Sequence, residues 1–222
     1  MTARVVFVFD FISPYAYLGW HRAQQELMPL GVTLEPRPVL FAAMLDANAT
    51  KGPAEIPAKR IYTWKHVVRL AHEQKRRIQP PPAHPFNPLL ALRAVTAIEN
   101  VDQRVRAIDA IFNAAWERGE AITDAANVRD LLAAAGLDGA ALVTATTNED
   151  TKQRLKGATA WAIGHRVFGV PSYLVGDEVF WGQDSVPHVI AHLRGEDPAA
   201  GAFDQWRDLP VGTSRQGAQE RR

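Results

Sequence analysis

The first apolar run, Val5 to Phe9 in RVVFVFD, is continuous rather than alternating and rich in β-branched and aromatic residues. That is the pattern of a strand buried on both faces. Ser13-Pro14 follows at the point where the chain should turn into a helix. Ser13 is a ready N-cap, and Pro14 at the first helical position has no N–H to leave unpaired. The helix is predicted to run to about Leu27, where Pro29 and Gly31 stop it. From Val32 to Leu40 the chain resumes an extended character. Its two prolines assign it to a sheet edge or to a strand that ends early. The opening therefore reads β-α-β.

Over the next half of the chain the period changes from strand to helix. Ile61, Trp64, Val68 and Ala71 form a helical stripe within Ile56 to Ile78, and Lys59, Arg60, Lys65, Arg69 and Lys75 occupy the polar faces. QPPPAHP breaks the pattern. Asn87-Pro88 repeats the cap-then-proline signature and predicts a helix to about Glu99, and Asp102 is placed to cap the next, which stops near Gly119. Asp124 to Ala135, ended by Gly136, and Asn148 to about His165 are further helices.

Strand character returns at VPSYLV, Val170 to Val175. A second short apolar run, VFWG, lies beyond Gly176-Asp177-Glu178, so the pair predicts a hairpin. Residues 184 to 194 suit a closing helix with Pro187 in its first turn. The tail from Gly195 has little core character, and its last dozen residues are expected to be mobile. No internal repeat or low-complexity tract interrupts the series.

Composition narrows the functional classes. A chain of 222 residues that is 47% hydrophobic can bury a substantial core. A formal net charge of only +1 gives no long-range field toward nucleic acid or an anionic membrane. No apolar run approaches the roughly 20 residues of a membrane span, and MTARVVFVFD lacks the features of a secretory signal, so a cytoplasmic location is expected. The chain has no cysteine, hence no disulfide, thiolate metal site or CxxC redox pair of its own. Any sulfur nucleophile has to come from a ligand. Its seven histidines lack a metal-ligand spacing such as HExxH, and GxSxG, P-loop and GxGxxG motifs are absent, so no metal is assigned. The basic run Lys75 to Arg77 reads as a solvated helix end, and Trp64 and Trp161 as core or pocket wall.

A β-α-β unit, a large helical block and then α-β-β-α is the order of an α/β thioredoxin-like core with an all-helical insertion. Four motifs sharpen this reading: FDFISPY, KGPAEIPAKRIY, FGVPSYLV and FWGQD. In this order and spacing the chain resembles the 2-hydroxychromene-2-carboxylate isomerases and the related kappa-class glutathione transferases, which share the fold of DsbA. The resemblance runs from residue 4 to about 193. The expected division is a discontinuous thioredoxin-like domain at 1–40 and 147–195, a helical insertion at 41–146 and a tail at 196–222.

The resemblance gives the serine a purpose. Oxidoreductases of this fold carry a cysteine at the N-terminus of the first helix, whereas these families place a serine there and use the sulfur of glutathione. Ser13 is thus implied to be catalytic and to hold a borrowed thiol. A free thiol has a pKa of about 8.5, and a helix N-terminus together with a donated hydroxyl bond favours its thiolate. The plainer alternative is that Ser13 only caps the helix. Val170-Pro171 resembles the cis-proline loop facing that helix, which would leave the Val170 backbone open to pair with the cysteinyl segment of glutathione; an ordinary trans proline is the alternative. Asp184 aligns with an aspartate used toward the γ-glutamyl amino group, and can equally cap the closing helix. Lys59 aligns with a basic residue that meets the glutathione carboxylate, or is an exposed helix lysine. Thr50 stands where the kappa class has an asparagine contact, with Asn48 close by, and Ser185 stands where an arginine is common.

The function so implied is glutathione-dependent interconversion of 2-hydroxychromene-2-carboxylate and trans-o-hydroxybenzylidenepyruvate in aromatic catabolism, by a homodimer with glutathione as regenerated cofactor and an aromatic carboxylate as substrate. A kappa-like transferase or peroxidase that consumes glutathione, and a non-catalytic thioredoxin-fold binding module, are the alternatives.

Overall fold

A computed structural model describes residues 3–210; the last dozen residues, expected to be mobile, lie outside these residues. Four strands form one sheet in the order β2-β1-β3-β4. They are β1 (Arg4–Phe9), β2 (Thr33–Pro38), β3 (Ser172–Val175) and β4 (Glu178–Trp181). β1 and β2 are parallel, with Val5 opposite Leu34, whereas β3 runs antiparallel to both β1 and β4. β2 lies at the edge, where its prolines leave no ladder donor missing in the sheet interior. The Gly176-Asp177 turn closes the β3-β4 hairpin, with Gly176 at φ +59°.

Both sheet faces are covered, as the unbroken apolar run of β1 requires. Val5, Phe7 and Phe9 point to one side, where α1 (Pro14–Glu26) packs through Tyr17, Leu18 and Trp20. The Phe7 ring lies 5.3 Å from those of both Trp20 and Tyr173. Val6, Val8 and Leu174 point to the other side, toward Met44 of α2 (Phe41–Ala47) and Ala162 of α8 (Glu149–Gly164).

Between β2 and α8 the chain is helical: α2, α3 (Pro57–Glu73), α4 (Leu89–Ala97), α5 (Val101–Phe112), α6 (Ala125–Ala134) and α7 (Gly139–Ala145). α3 to α7 share one apolar cluster with the sheet, in which Val67, Leu92 and Phe112 join Phe7 and Phe9. α9 (Val186–Leu193) closes the core with Pro187 in its first turn, and a short α10 (Asp204–Arg207) follows.

Several expectations are corrected. α3 ends at Glu73 rather than near Ile78, and Lys75 takes φ +54° just past it. Lys75 to Arg77 is therefore not a helix end, and Arg76 turns inward to Glu117 at 3.7 Å and over the Tyr17 ring. Asn100, not Asp102, caps α5, accepting the Gln103 N–H at 3.0 Å. That helix gives way at Phe112 to a wider turn over Asn113–Glu117 before reaching Gly119. α2 and α7 were not anticipated.

Candidate functional site

Ser13 stands where expected, at the N-cap of α1 with extended backbone (φ −94°, ψ 114°). Its Oγ accepts the Ala16 N–H at 3.1 Å, which is the capping bond. Its own O–H has no acceptor among the described residues. A half-engaged hydroxyl of this kind can donate one further bond toward a group in front of the helix, where Pro14 contributes no N–H.

The loop carrying Ser13 is pinned from below by groups distant in sequence. His84 Nε2 meets Ile12 O at 3.0 Å, and the Trp116 indole N–H donates to Phe11 O at 2.8 Å. A carbonyl oxygen only accepts, so Nε2–H is the donor in that bond, and burial pushes the His84 pKa down. Asp10, fully buried, accepts the N–H groups of Ile12 at 3.1 Å and Phe41 at 2.9 Å, and its backbone carbonyl accepts the Ser13 N–H at 3.1 Å. Burial pushes the Asp10 carboxyl up to about 7, outweighing the two N–H groups that favour its charge.

The loop before β3 packs on the same helix. Val170-Pro171 is cis, as is His84-Pro85. A Cβ on Gly19 would stand 3.0 Å from the Pro171 ring and 2.7 Å from Tyr173 Oη, so glycine is what lets α1 approach this loop. The Tyr173 hydroxyl donates to Gly19 O at 2.9 Å and Gly182 N–H donates to Pro171 O at 2.9 Å, which joins α1, the proline loop and the turn after β4. Val170 is 7% exposed, yet neither its N–H nor its carbonyl finds a partner among the described residues. Buried backbone groups are rarely left so.

Asp184 lies exposed in the turn Gln183–Ser185. Its carboxylate makes no capping bond: the residue at the N-cap of α9 is Ser185, and no side chain caps that helix. The Asp184 carboxylate instead folds back over Gly182, whose φ of +100° and missing Cβ leave room for it. Burial pushes the Tyr15 phenol up, and the negative charges of Tyr62 and Asp184 add to the shift. The turn that carries Asp184 packs on α1 through Gln183, whose Cβ would stand 3.4 Å from a Cβ on Gly19.

Two residues that the sequence reading missed complete this end of the molecule. Tyr15 Oη and His66 Nδ1 are hydrogen-bonded at 3.0 Å, and the Tyr62 ring lies 5.4 Å from that of His66. Tyr15 directly follows Ser13-Pro14, and His66 follows Lys59 and Thr63 at the i, i+4, i+7 spacing of one helical face. Lys59 is exposed on α3 and shares the face that meets Tyr15, so the helical period could have found His66. Thr50 is exposed beyond α2, its N–H bonded to Leu45 O at 3.0 Å, and the Asn48 amide is spent on Met44 O at 2.8 Å. Neither is bonded to the groups around Ser13. Trp64 is wall, meeting the His84 ring edge at 4.8 Å, and Trp161 lies under Arg37 at 3.7 Å.

Along α1 the described residues thus present the Ser13 hydroxyl and the Tyr15–His66 pair at its first turn, and the cis-proline loop where it packs on Gly19. Comparison with known proteins gives the same family. Residues 4–194 match the DSBA-like thioredoxin domain, and the chain belongs to that family. It is 25% identical over 195 residues to a 2-hydroxychromene-2-carboxylate isomerase of Sphingobium xenophagum, covering 87% of this chain and 99% of that one. It is likewise 25% identical to glutathione S-transferase kappa 1 of Rattus norvegicus, covering 85% and 89%. The solved structure of a 2-hydroxychromene-2-carboxylate isomerase superposes with a TM-score of 0.78 at 25% identity, over 90% of this chain and 98% of that one.

Proposed function

We propose that this member of the DsbA-like thioredoxin family is a glutathione-dependent isomerase that interconverts 2-hydroxychromene-2-carboxylate and trans-o-hydroxybenzylidenepyruvate. The observation that carries the reading is Ser13: a capping serine with an unspent O–H at the N-terminus of α1, in a chain without any cysteine.

Glutathione, when bound, supplies a thiol that adds reversibly to the substrate double bond and so permits rotation about it. The residues of this chain bind and orient. Ser13 donates its hydroxyl to the sulfur, and the positive end of α1 favours the thiolate form. Val170 offers its N–H and carbonyl to the cysteinyl backbone, with Pro171 fixing that loop against Gly19. Asp184 receives the γ-glutamyl ammonium, and Lys59, on the face of α3 that meets Tyr15, receives a carboxylate. Thr50 is a peripheral contact. Tyr15, Tyr62 and His66 form the wall against which an aromatic substrate lies.

Names of relatives support this reading, since isomerases match this chain at 25 to 27% identity. Kappa-class transferases match at 24 to 25%, which also sustains the second reading, a kappa-like transferase or peroxidase. Aromatic catabolism, a cytoplasmic location and a homodimer accompany the proposal. Among the described residues no helix is long and apolar enough to cross a membrane. The experiment is turnover of the chromene carboxylate with and without glutathione, followed by mass analysis of the product. Isomerisation that requires glutathione and returns it unchanged supports the isomerase. A sulfur-containing product, or loss of one glutathione per turnover, selects the transferase, and no glutathione binding at all leaves a non-catalytic module.

A further inference from the structure

A recess lies between α2, α4 and α8 and shares no residue with the groups around Ser13. It has a volume of about 370 Å³, at the small end of the range for ligand cavities. Leu40, Leu89, Leu155 and Ile163 give it apolar walls, and three cations, Arg93, Lys152 and Lys156, line it without any carboxylate. Glu149, outside the lining, is engaged by Gln153 at 2.6 Å and by Lys152 at 3.6 Å. That leaves Arg93 and Lys156 without an ion-pair partner among the described residues. The polar group that might have served the recess from within, Thr159 Oγ1, is occupied: it accepts the Leu40 N–H at 3.0 Å and donates to Leu155 O at 2.9 Å.

Arg93 is the unusual member. Its Nε is enclosed and has no hydrogen-bond partner among the described residues. Arg93 as a whole is only partly buried and lines the recess, so its terminal N–H groups rather than the enclosed Nε are the ones an anion there can meet. We propose that this recess binds a small organic carboxylate, with the apolar body between α2 and α8 and the carboxylate on Arg93, flanked by Lys152 and Lys156. Apolar walls disfavour a phosphate or other strongly hydrated anion, which would lose water without replacement. The volume disfavours a diacyl lipid. This site goes beyond the glutathione-dependent reading and does not depend on it.

The test is calorimetric titration of the full chain with octanoate and with octanamide, its neutral isostere. The expected result is one saturable site for octanoate, octanamide binding at least about ten-fold more weakly, and Arg93→Met weakening octanoate by about ten-fold or more. Ala160→Trp, on an exposed residue of the lining, should block the recess without disturbing the core, and so carries the test if Arg93→Met fails to fold. Ser13→Ala should leave octanoate affinity unchanged. The proposal is overturned by equal affinity for octanoate and octanamide, by unchanged octanoate binding in Arg93→Met or Ala160→Trp, by an equal loss in Ser13→Ala, or by the absence of saturable binding.

Discussion

Tyr15 and His66, on different helices, share a 3.0 Å hydrogen bond that ties the first turn of α1 to the middle of α3. The bond joins the strand-bearing part of the fold to its helical block directly beside Ser13. A partly buried bond of this kind contributes about 1 kcal/mol net. Tyr15→Phe and His66→Leu should each lower stability by about that amount. The double variant should lose less than the sum of the two, because the second substitution has no bond left to break. Urea unfolding of the four proteins measures the coupling, and strictly additive losses would show that the two side chains act independently.

The parts of the fold legible in the sequence are those whose signals are local. Ser13-Pro14 and Asp124 mark helix starts because each side chain caps the turn that follows it, Asn148 holds the N-cap position of α8 without a side-chain bond, and Gly136 marks a stop because its φ of +75° suits glycine. α2 was illegible for the opposite reason. Its N-cap is Leu40, which offers no side-chain acceptor, and the N–H groups of Leu40 and Phe41 are taken instead by Thr159 and Asp10, far away in sequence. Asp102 misled because an acidic residue in a first turn looks much like a cap when Asn100 stands just before it. In the site, Ser13, Val170-Pro171 and Asp184 sit within recognisable motifs. The Tyr15–His66 pair and the Asp10 carboxylate under the loop have meaning only once α3 and α2 are packed against α1 and β1.

Ser13→Ala removes both the cap acceptor and the free donor. Loss of the cap should cost about 1 kcal/mol of stability. Loss of a bond donated to a thiolate is worth roughly 1.5 to 3 kcal/mol, so turnover should fall by about ten-fold to one hundred-fold if the bond is realised in the transition state. Ser13→Thr keeps both functions of the hydroxyl and should recover most of each. Assay at saturating glutathione checks this, and unchanged turnover in Ser13→Ala would remove Ser13 from the chemistry.

Asp10 gives stability a defined pH dependence. Its carboxyl is raised by burial to about 7 in the folded chain, against about 4 when unfolded. The folded state therefore binds the proton more tightly than the unfolded state. The contribution is most favourable below about pH 4, declines as pH rises from about 4 to about 7, and levels off above that. The total swing is about 4 kcal/mol. Asp10→Asn cannot ionise, and its amide offers one acceptor oxygen to the two N–H groups of Ile12 and Phe41. The stability advantage of the native protein over Asp10→Asn should thus shrink between about pH 4 and about pH 7. Denaturant midpoints across that range check it, and parallel curves for the two proteins would contradict the buried, raised carboxyl.

Asp184 can be read as a helix cap or as an ammonium receptor, and the geometry shows no capping bond. Its side chain caps nothing, because α9 begins at Ser185 without a side-chain cap and the carboxylate lies over Gly182. Asp184→Asn should therefore leave stability nearly unchanged. If the carboxylate receives the γ-glutamyl ammonium, losing that charge-assisted contact of roughly 1.5 to 3 kcal/mol should weaken glutathione by about ten-fold to one hundred-fold. A glutathione analogue without the amino group supplies the control, since it has no ammonium to lose. Calorimetric titration of both proteins with both ligands decides the matter. Selective weakening for glutathione places its ammonium at Asp184. Equal weakening for the two ligands would mean that the substitution disturbs the Gly182 turn, which the N–H bond from Gly182 to Pro171 O would pass on to the proline loop. No change for either ligand would take Asp184 out of the binding site, leaving its exposed carboxylate without an assigned partner.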